Sequence, residues 1–205
     1  MQARSGEASV RAAENERYTP VVPRIAVFCG SRAGNDPAYA EAAATLGRAL
    51  AGRGCELVYG GAHVGLMGIA ADTVLARGGR VTGVIPASMV DRELAHRGVT
   101  DLRIVGGMHE RKALMASLAD AFLVLPGGMG TLDELCEILT WAQLGLHAKP
   151  VGLLDVRHYW RGFLSFLDTA VTEGFLRSRD RARLHCEPDV ETLLDALLDA
   201  TVEAG

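Results

Sequence analysis

The chain has 205 residues, of which 49% are hydrophobic and 22% are charged, and it carries a formal net charge of −4. This size and composition predict one globular domain with a sizeable core rather than two full domains. The mildly acidic balance provides no broad basic field, so nucleic acid and anionic membranes are not expected partners, whereas a small anion bound locally is compatible with it.

Cysteine spacing and hydropathy further narrow the class of protein. No C-x-x-C pair occurs, which argues against a zinc site or a redox motif and favours reduced, packed thiols at Cys29, Cys55, Cys136 and Cys186. No stretch approaches the roughly 18 apolar residues of a membrane span, and the first residues lack the apolar core of a signal peptide. We therefore expect a cytoplasmic protein without a metal.

In chain order, residues 1–22 come first; they are rich in Arg, Glu, Ala and Ser and lack apolar periodicity, which predicts a disordered or loosely packed tail. Residues 23–205 form the predicted domain. Its strands are predicted at 25–29, 56–59, 81–85, 102–105, 121–125 and 151–154, and its helices at 37–52, 65–77, 108–118, 131–145, 158–173 and 189–201. This alternation predicts an α/β fold, a doubly wound parallel sheet in three α/β/α layers.

Glycine-rich loops follow three of the predicted strands. They comprise Cys29 to Arg32 with Ser31, Gly60 to Gly68 beginning with Gly60 and Gly61, and Pro126 to Glu134. Ligands of doubly wound sheets bind at the carboxyl ends of the strands, where the strand order reverses, so the loops are expected to converge there. The dinucleotide fingerprint is absent from the first loop and no Walker motif occurs, which favours a mononucleotide.

The third loop combines Gly127, Gly128 and Gly130 with a hydroxyl at Thr131 and a carboxylate at Glu134. Backbone N–H groups at a helix start bind phosphate without any lysine, and glycine permits close approach. Thr131-x-x-Glu134 also fits a capping box that merely satisfies the helix start. Both interpretations, anion site with an acid and helix cap, stay open on the sequence.

Arg111 and Lys112 open the helix predicted over 108–118. Cations at a helix start oppose its dipole, so they need another explanation. One explanation is a solvated charged turn. The other is that both side chains lie at the same edge of the sheet as the third glycine loop, the candidate phosphate site. An arginine beside an anion and a carboxylate supplies useful chemistry.

Other candidates carry weaker signals. His63 and His109 lie in no metal-binding pattern and are interpreted as polar loop residues. Tyr159 and Trp160 are interpreted as helix packing or a subunit contact. Thr140 has two comparable explanations, a structural hydrogen bond and a ligand contact.

Three motifs together resemble the LONELY GUY family, the cytokinin riboside 5′-monophosphate phosphoribohydrolases, often described as lysine decarboxylases. The similarity runs from about Arg24 through Asp155 and more loosely to Glu187. The motifs are Gly60-Gly61-x-x-x-Gly65-Leu66-Met67-Gly68, Met108-x-x-Arg111-Lys112-x-x-x-Met115 and Pro126-Gly127-Gly128-x-Gly130-Thr131-x-x-Glu134.

The resemblance implies a Rossmann-like catalytic domain, a homodimer without a cofactor, and hydrolysis of a nucleoside 5′-monophosphate to a free purine base and ribose 5-phosphate. It implies Arg111 and Glu134 as the catalytic pair. It also implies substrate or phosphate contacts at Gly127, Gly128, Met129, Gly130 and Thr131, at Lys112, Glu93 and Thr140, and at the loops carrying Ser31, Gly60 and Gly61.

Of three alternatives to this assignment, the first fails and the other two remain. A pyridoxal phosphate decarboxylase needs a Schiff-base lysine, and the only lysines, Lys112 and Lys149, are poorly placed for one. A carrier of a nucleotide or phosphorylated cofactor would use the same glycine loops but not the Arg111–Glu134 pair. A general AMP nucleosidase would share the chemistry, and the apolar residues Leu66, Met67, Met89 and Met108 do not decide between prenylated and plain adenine.

Overall fold

The computed structural model describes residues 22–90 and 94–203. Its strands are β1 Arg24–Phe28, β2 Glu56–Tyr59, β3 Val81–Pro86, β4 Asp101–Val105, β5 Ala121–Val124, β6 Val151–Leu154 and β7 Leu184–Glu187. Its helices are α1 Pro37–Gly52, α2 Gly65–Ala76, α3 Ala87–Val90, α4 Met108–Leu118, α5 Met129–Gln143, α6 Arg161–Thr172, α7 Ser178–Arg181 and α8 Val190–Glu203, with a 3₁₀ turn at Val156–His158.

The seven strands form one sheet in the order β4-β3-β2-β1-β5-β6-β7, and all six pairings are parallel. The predicted α/β class is therefore confirmed. The strand order reverses between β1 and β5, where Ile25 pairs with Ala121. This junction is the place where doubly wound sheets bind ligands.

Two apolar cores cover the two faces of the sheet. One packs α1, α2 and α8 against it through residues such as Leu46, Val74 and Leu194. The other packs α4 and α5 through Met115 and Ile138. The short strands are buried from end to end in β2, β5 and β6, as expected for strands with helices on both sides.

The sequence missed the edge strand β7 and the one-turn helices α3 and α7. Strand β7 reads Leu-His-Cys-Glu and is half-buried beyond its first residue, so its apolar signal is weak. Helix α6, predicted from 158, begins at Arg161 because a 3₁₀ turn occupies Val156–His158. No helix in the described part of the chain is long and apolar enough to cross a membrane.

Two predictions cannot be compared with the structure. The tail predicted over residues 1–22 lies outside the described residues except for Val22, and Glu93 lies in the gap between residues 90 and 94.

The four cysteines are free. Cys29 and Cys55 are buried, but Cys136 is exposed, so the prediction of packed thiols is wrong at that position.

Candidate active site

Backbone hydrogen bonds join the three glycine loops. Gly30 N donates to Pro126 O at 3.1 Å, which links the loops after β1 and β5. Leu66 N donates to Gly30 O at 3.1 Å, which adds the loop after β2. The expected convergence is therefore present, and it lies at the reversal point of the strand order.

The third loop ends in a helix start that carries no side-chain cap. Helix α5 begins at Met129, with Gly128 as its N-cap and no capping hydrogen bond from a side chain. Gly128, Met129 and Gly130 are exposed, so the first N–H groups of the helix are open to a ligand. An anion is the group that such a start binds best.

The capping-box interpretation of Thr131 and Glu134 is wrong. The helix starts two residues before Thr131, so Thr131 is its third residue and Glu134 lies in its second turn. Thr131 is buried beneath the loop, and a side chain at Gly127 would collide with its hydroxyl. Gly127 is thus glycine because the loop folds back directly onto the helix it precedes.

Arg111 is buried at the same edge of the sheet. Its Nε donates to the carbonyl oxygen of Val84 in β3 at 3.2 Å. Its Nη2 lies 3.5 Å from Glu134 Oε1. A Cβ atom at Gly60 would overlap Nη2, so the missing side chain at position 60 creates the space for the guanidinium. These contacts explain a cation in the first turn of α4 and rule out a solvated charged turn.

Glu134 is buried, with 8% of its surface exposed. Within residues 22–90 and 94–203 its carboxylate has the long ion pair with Arg111 and no hydrogen bond. Burial raises its pKa above the ordinary range of a glutamate, and Arg111 opposes that shift only in part. Glu134 is a desolvated carboxyl group whose acceptor capacity is largely unused.

Lys112 links α4, which carries Arg111, to α5, which carries Glu134, through ion pairs. Its Nζ lies 3.0 Å from Asp133 Oδ2 and 3.1 Å from Glu137 Oε2, both on α5. These carboxylates raise the pKa of Lys112, although partial burial works in the opposite direction. A substrate contact by Lys112 stays a prediction; the contact observed is with its neighbouring helix.

A cavity of about 410 Å³ opens in front of the glycine loop after β5, the loop proposed to bind phosphate. Tyr159 lies at its mouth, where its hydroxyl donates to Gly127 O at 2.5 Å and its ring meets that of Tyr39 edge to face at 5.9 Å. Trp160 is buried as predicted, and Tyr159 packs its ring against Tyr39 of α1; the alternative of a subunit contact stays a prediction. The cavity is lined by Gly30, Ser31, Arg32, Ala33, Gly34, Tyr39, Leu66, Pro126, Gly127, Gly128 and Tyr159.

The remaining candidates are dispersed. Gly60 and Gly61 lie between Arg111 and β3, with Gly61 in the left-handed region at φ +75°. Thr140 bonds its own helix through Cys136 O at 2.7 Å and lines a separate apolar groove of about 390 Å³. His63 contacts Leu94 O and His109 is exposed. No group of three or more metal-ligating side chains is assembled within the described ranges.

Comparisons with known proteins agree on one family. Residues 67–197 match the family model described as possible lysine decarboxylase. The chain is 51% identical over 171 residues to the cytokinin riboside 5′-monophosphate phosphoribohydrolase LOG of Oryza sativa subsp. japonica, covering 83% of this chain and 71% of the relative. It is 49% identical over 176 residues to LOG1 of Arabidopsis thaliana, covering 86% and 83%.

Solved structures show the same fold at lower identity. The molybdenum cofactor carrier protein of Chlamydomonas reinhardtii superposes with a TM-score of 0.67 over 88% of this chain and 99% of its own, at 23% identity. The molybdenum cofactor binding protein of Rippkaea orientalis gives 0.67 at 23% identity, over 87% and 96%. At this identity the likeness establishes the architecture alone.

Proposed function

This chain belongs to the LONELY GUY family of cytokinin riboside 5′-monophosphate phosphoribohydrolases, and we propose that it hydrolyses the N-glycosidic bond of such nucleotides. The products are a free adenine-type base and ribose 5-phosphate. The observation that carries the proposal is the buried Arg111–Glu134 pair beside an uncapped helix start. The role is activation of a cytokinin; cleavage of plain AMP would use the same residues.

The 5′-phosphate binds at the start of α5. The exposed N–H groups of Gly128, Met129 and Gly130 and the positive end of the helix dipole supply the attraction, with no lysine needed. Phosphate binding energy then holds the ribose against Glu134, one turn further along the helix. A riboside without its phosphate loses this anchor.

Cleavage of the ribosyl–base bond builds positive charge on the sugar and negative charge on the departing base. The Glu134 carboxylate stabilises the oxocarbenium-like ribose and orients or deprotonates the attacking water, as carboxylates do in glycoside hydrolysis. The water oxygen bonds to the sugar carbon and gives its proton to Glu134, while the base leaves with the bonding pair and takes up a proton from solvent. Arg111 positions Glu134 and favours negative charge on the leaving side.

The residues do not fit the lysine decarboxylation named by the family description. A pyridoxal phosphate enzyme requires a lysine that loses its proton to form a Schiff base. Lys112 is held by two carboxylates that favour its charged form. Burial lowers the pKa of Lys149, but its Nζ donates to Ala116 O and it precedes β6, at the amino edge of the sheet. Neither lysine lies among the glycine loops.

We also propose a homodimer. Large apolar side chains are exposed at the end of α5 and along α6, namely Leu144, Leu146 and Phe166 at 65–68% exposure. The apolar groove between these helices adjoins them. Exposed apolar surface of this kind marks association sites in soluble proteins, and sedimentation of the purified protein tests the stoichiometry. A cytoplasmic location stays a prediction.

The decisive experiment assays the purified protein with AMP, isopentenyladenosine monophosphate and the two matching ribosides, with free base read by chromatography. We expect base release from one or both monophosphates and much slower release from the ribosides. The ratio between the two monophosphates identifies the preferred base. Equal rates on ribosides would contradict the phosphate anchor, and no release from either monophosphate would favour a carrier.

A further inference from the structure

Tyr159 forms a contact that its position in the chain does not explain. It follows β6 and the 3₁₀ turn, yet its hydroxyl reaches the carbonyl oxygen of Gly127, 32 residues earlier, at 2.5 Å. The ring is 43% exposed at the cavity mouth, so apolar burial does not hold it there. The hydrogen bond and the edge-to-face contact with Tyr39 fix its position.

The turn before Tyr159 is strained. Arg157 and His158 adopt φ values of 55° and 59°, and among the residues that the structure describes they are the only non-glycine residues with positive φ. Side chains avoid this region because Cβ crowds the neighbouring carbonyl. Such strain persists only where surrounding contacts over-determine the backbone, and it concentrates at functional sites.

Those contacts are present on both sides of the turn. Arg157 Nε lies 3.0 Å from Asp36 Oδ2, at the N-cap of α1. Asp155 accepts from the backbone of Trp160 at 2.9 Å and lies 3.3 Å from His158 Nδ1. Trp160 itself is buried. Contacts with α1, contacts within the turn and the burial of Trp160 therefore fix the turn, and the fixed turn places Tyr159 beside the loop.

The hydrogen bond from Tyr159 fixes the orientation of a peptide group in the loop, because its acceptor is the carbonyl oxygen of Gly127. In a trans peptide the C=O and the following N–H point in opposite directions. Holding Gly127 O toward Tyr159 therefore directs the N–H of Gly128 away from it. The preceding peptide is fixed in the same manner, because Gly30 N donates to Pro126 O. Two successive peptides of a glycine loop, which is otherwise free to rotate, are held in one orientation.

We propose that Tyr159 is the positioning residue of the phosphate loop: it holds the Gly127 carbonyl so that the amides of the loop face the 5′-phosphate of the substrate. The proposal rests on the proposed function for the identity of the anion. Without the hydroxyl, the Gly127–Gly128 peptide rotates freely and presents its carbonyl oxygen to the phosphate part of the time. The loss falls on phosphate binding rather than on bond cleavage.

The test compares Tyr159→Phe with Tyr59→Phe. Both remove one phenolic hydroxyl; that of Tyr59 is buried and has no hydrogen-bond partner in the described part of the chain. For Tyr159→Phe we expect KM for AMP and Kd for ribose 5-phosphate, measured by calorimetry, to rise about three- to tenfold, the effect of one neutral hydrogen bond. We expect kcat to stay within about twofold, and kcat/KM for the riboside and all values for Tyr59→Phe to stay unchanged.

A merely structural role for Tyr159 would lower kcat/KM equally for nucleotide and riboside, and that result overturns the proposal. Unchanged affinity for ribose 5-phosphate overturns it as well. Calorimetry with AMP and ribose 5-phosphate needs no turnover. If the protein releases no base from any monophosphate, the enzymatic function fails, while the affinity ratio between Tyr159→Phe and the parent protein still decides the positioning role.

Discussion

Two glutamates are buried in the described part of the chain, one at the amino ends of the strands and one at their carboxyl ends, and their surroundings differ. At the amino edge, Glu56 accepts a hydrogen bond from Thr82 Oγ1 at 2.5 Å and lies 3.5 Å from Arg24 and 3.7 Å from Arg80. At the carboxyl edge, Glu134 has a single arginine at 3.5 Å. Their burial is nearly equal, at 6% and 8% exposed.

The contrast distinguishes a carboxylate held in a structural network from the carboxylate that we propose to be catalytic. Glu56 accepts one hydrogen bond and faces two arginines, so its buried charge is compensated within the fold. Glu134 keeps free lone pairs in a desolvated position and retains a raised pKa. Burial alone does not distinguish the two glutamates, whereas unused hydrogen-bonding capacity does, and this difference supports the proposed role of Glu134.

Exchanging each carboxylate for an amide gives the largest expected effect. Glu134→Gln should lower kcat by about 10²-fold or more, because one preorganised charge is removed, and should keep nucleotide affinity. Glu56→Gln should keep kcat but lose roughly 1–3 kcal/mol of stability, since hydrogen bonds to a charged group are weakened. Steady-state kinetics and thermal melts measure both. Undiminished turnover in Glu134→Gln would refute its assignment.

A smaller effect is expected from placing a methyl group beside the proposed catalytic pair, Arg111 and Glu134. In Gly60→Ala the new Cβ overlaps the Nη2 atom of Arg111, so the guanidinium must shift while the backbone stays. A displacement of about 1 Å costs up to roughly 10²-fold in rate, and we expect a tenfold to 10²-fold loss of kcat/KM with little change in melting temperature. Gly52→Ala, which meets no atom within 4 Å, is the matched control. Full activity in Gly60→Ala would show that the position of Arg111 is not required.

The smallest expected effect is on the pH dependence of activity and stability with and without the Glu134 carboxylate. Because the pKa of Glu134 is raised, kcat/KM should fall on acidification at a pH above the ordinary range of a glutamate. The same shift makes the ionised group a cost to folding above its folded pKa, and this cost disappears as the pH falls through that value. Glu134→Gln should therefore melt higher than the parent protein at neutral pH, with the difference closing on acidification. A difference that is independent of pH would contradict the shift.

The sequence predicts the layers of the fold well and the site in part. Buried strands such as Ala121–Val124 are continuous apolar runs, and helices such as Pro37–Gly52 show clear periodicity. Strand β7 was missed because an edge strand needs less apolar surface. The start of α5 was misplaced because Gly128, which has no side chain, occupies the N-cap.

Within the site, the loops and the Arg111–Glu134 pairing were predictable because parallel strands end at one edge. The partners of Lys112 were not, since α4 and α5 meet only through tertiary packing. Tyr159 gave no local signal, because its acceptor is a backbone carbonyl far away in the chain. The strained turn that delivers it is equally invisible, as Arg157 and His158 are not residue types that indicate positive φ.

The pairing of β1 with β5 also sets the order in which the protein acquires activity during synthesis. Arg24 and Asp120, which meet beside this pairing, are 96 residues apart, and Glu134 is made later still. A ribosome-bound chain that ends before α5 contains the loops after β1 and β2 but no phosphate site. Joining strands so distant in sequence carries a loop-closure cost that is recovered only late in folding. Nucleotide binding is therefore expected to report on completed folding, which makes it a probe of when the growing chain first becomes native.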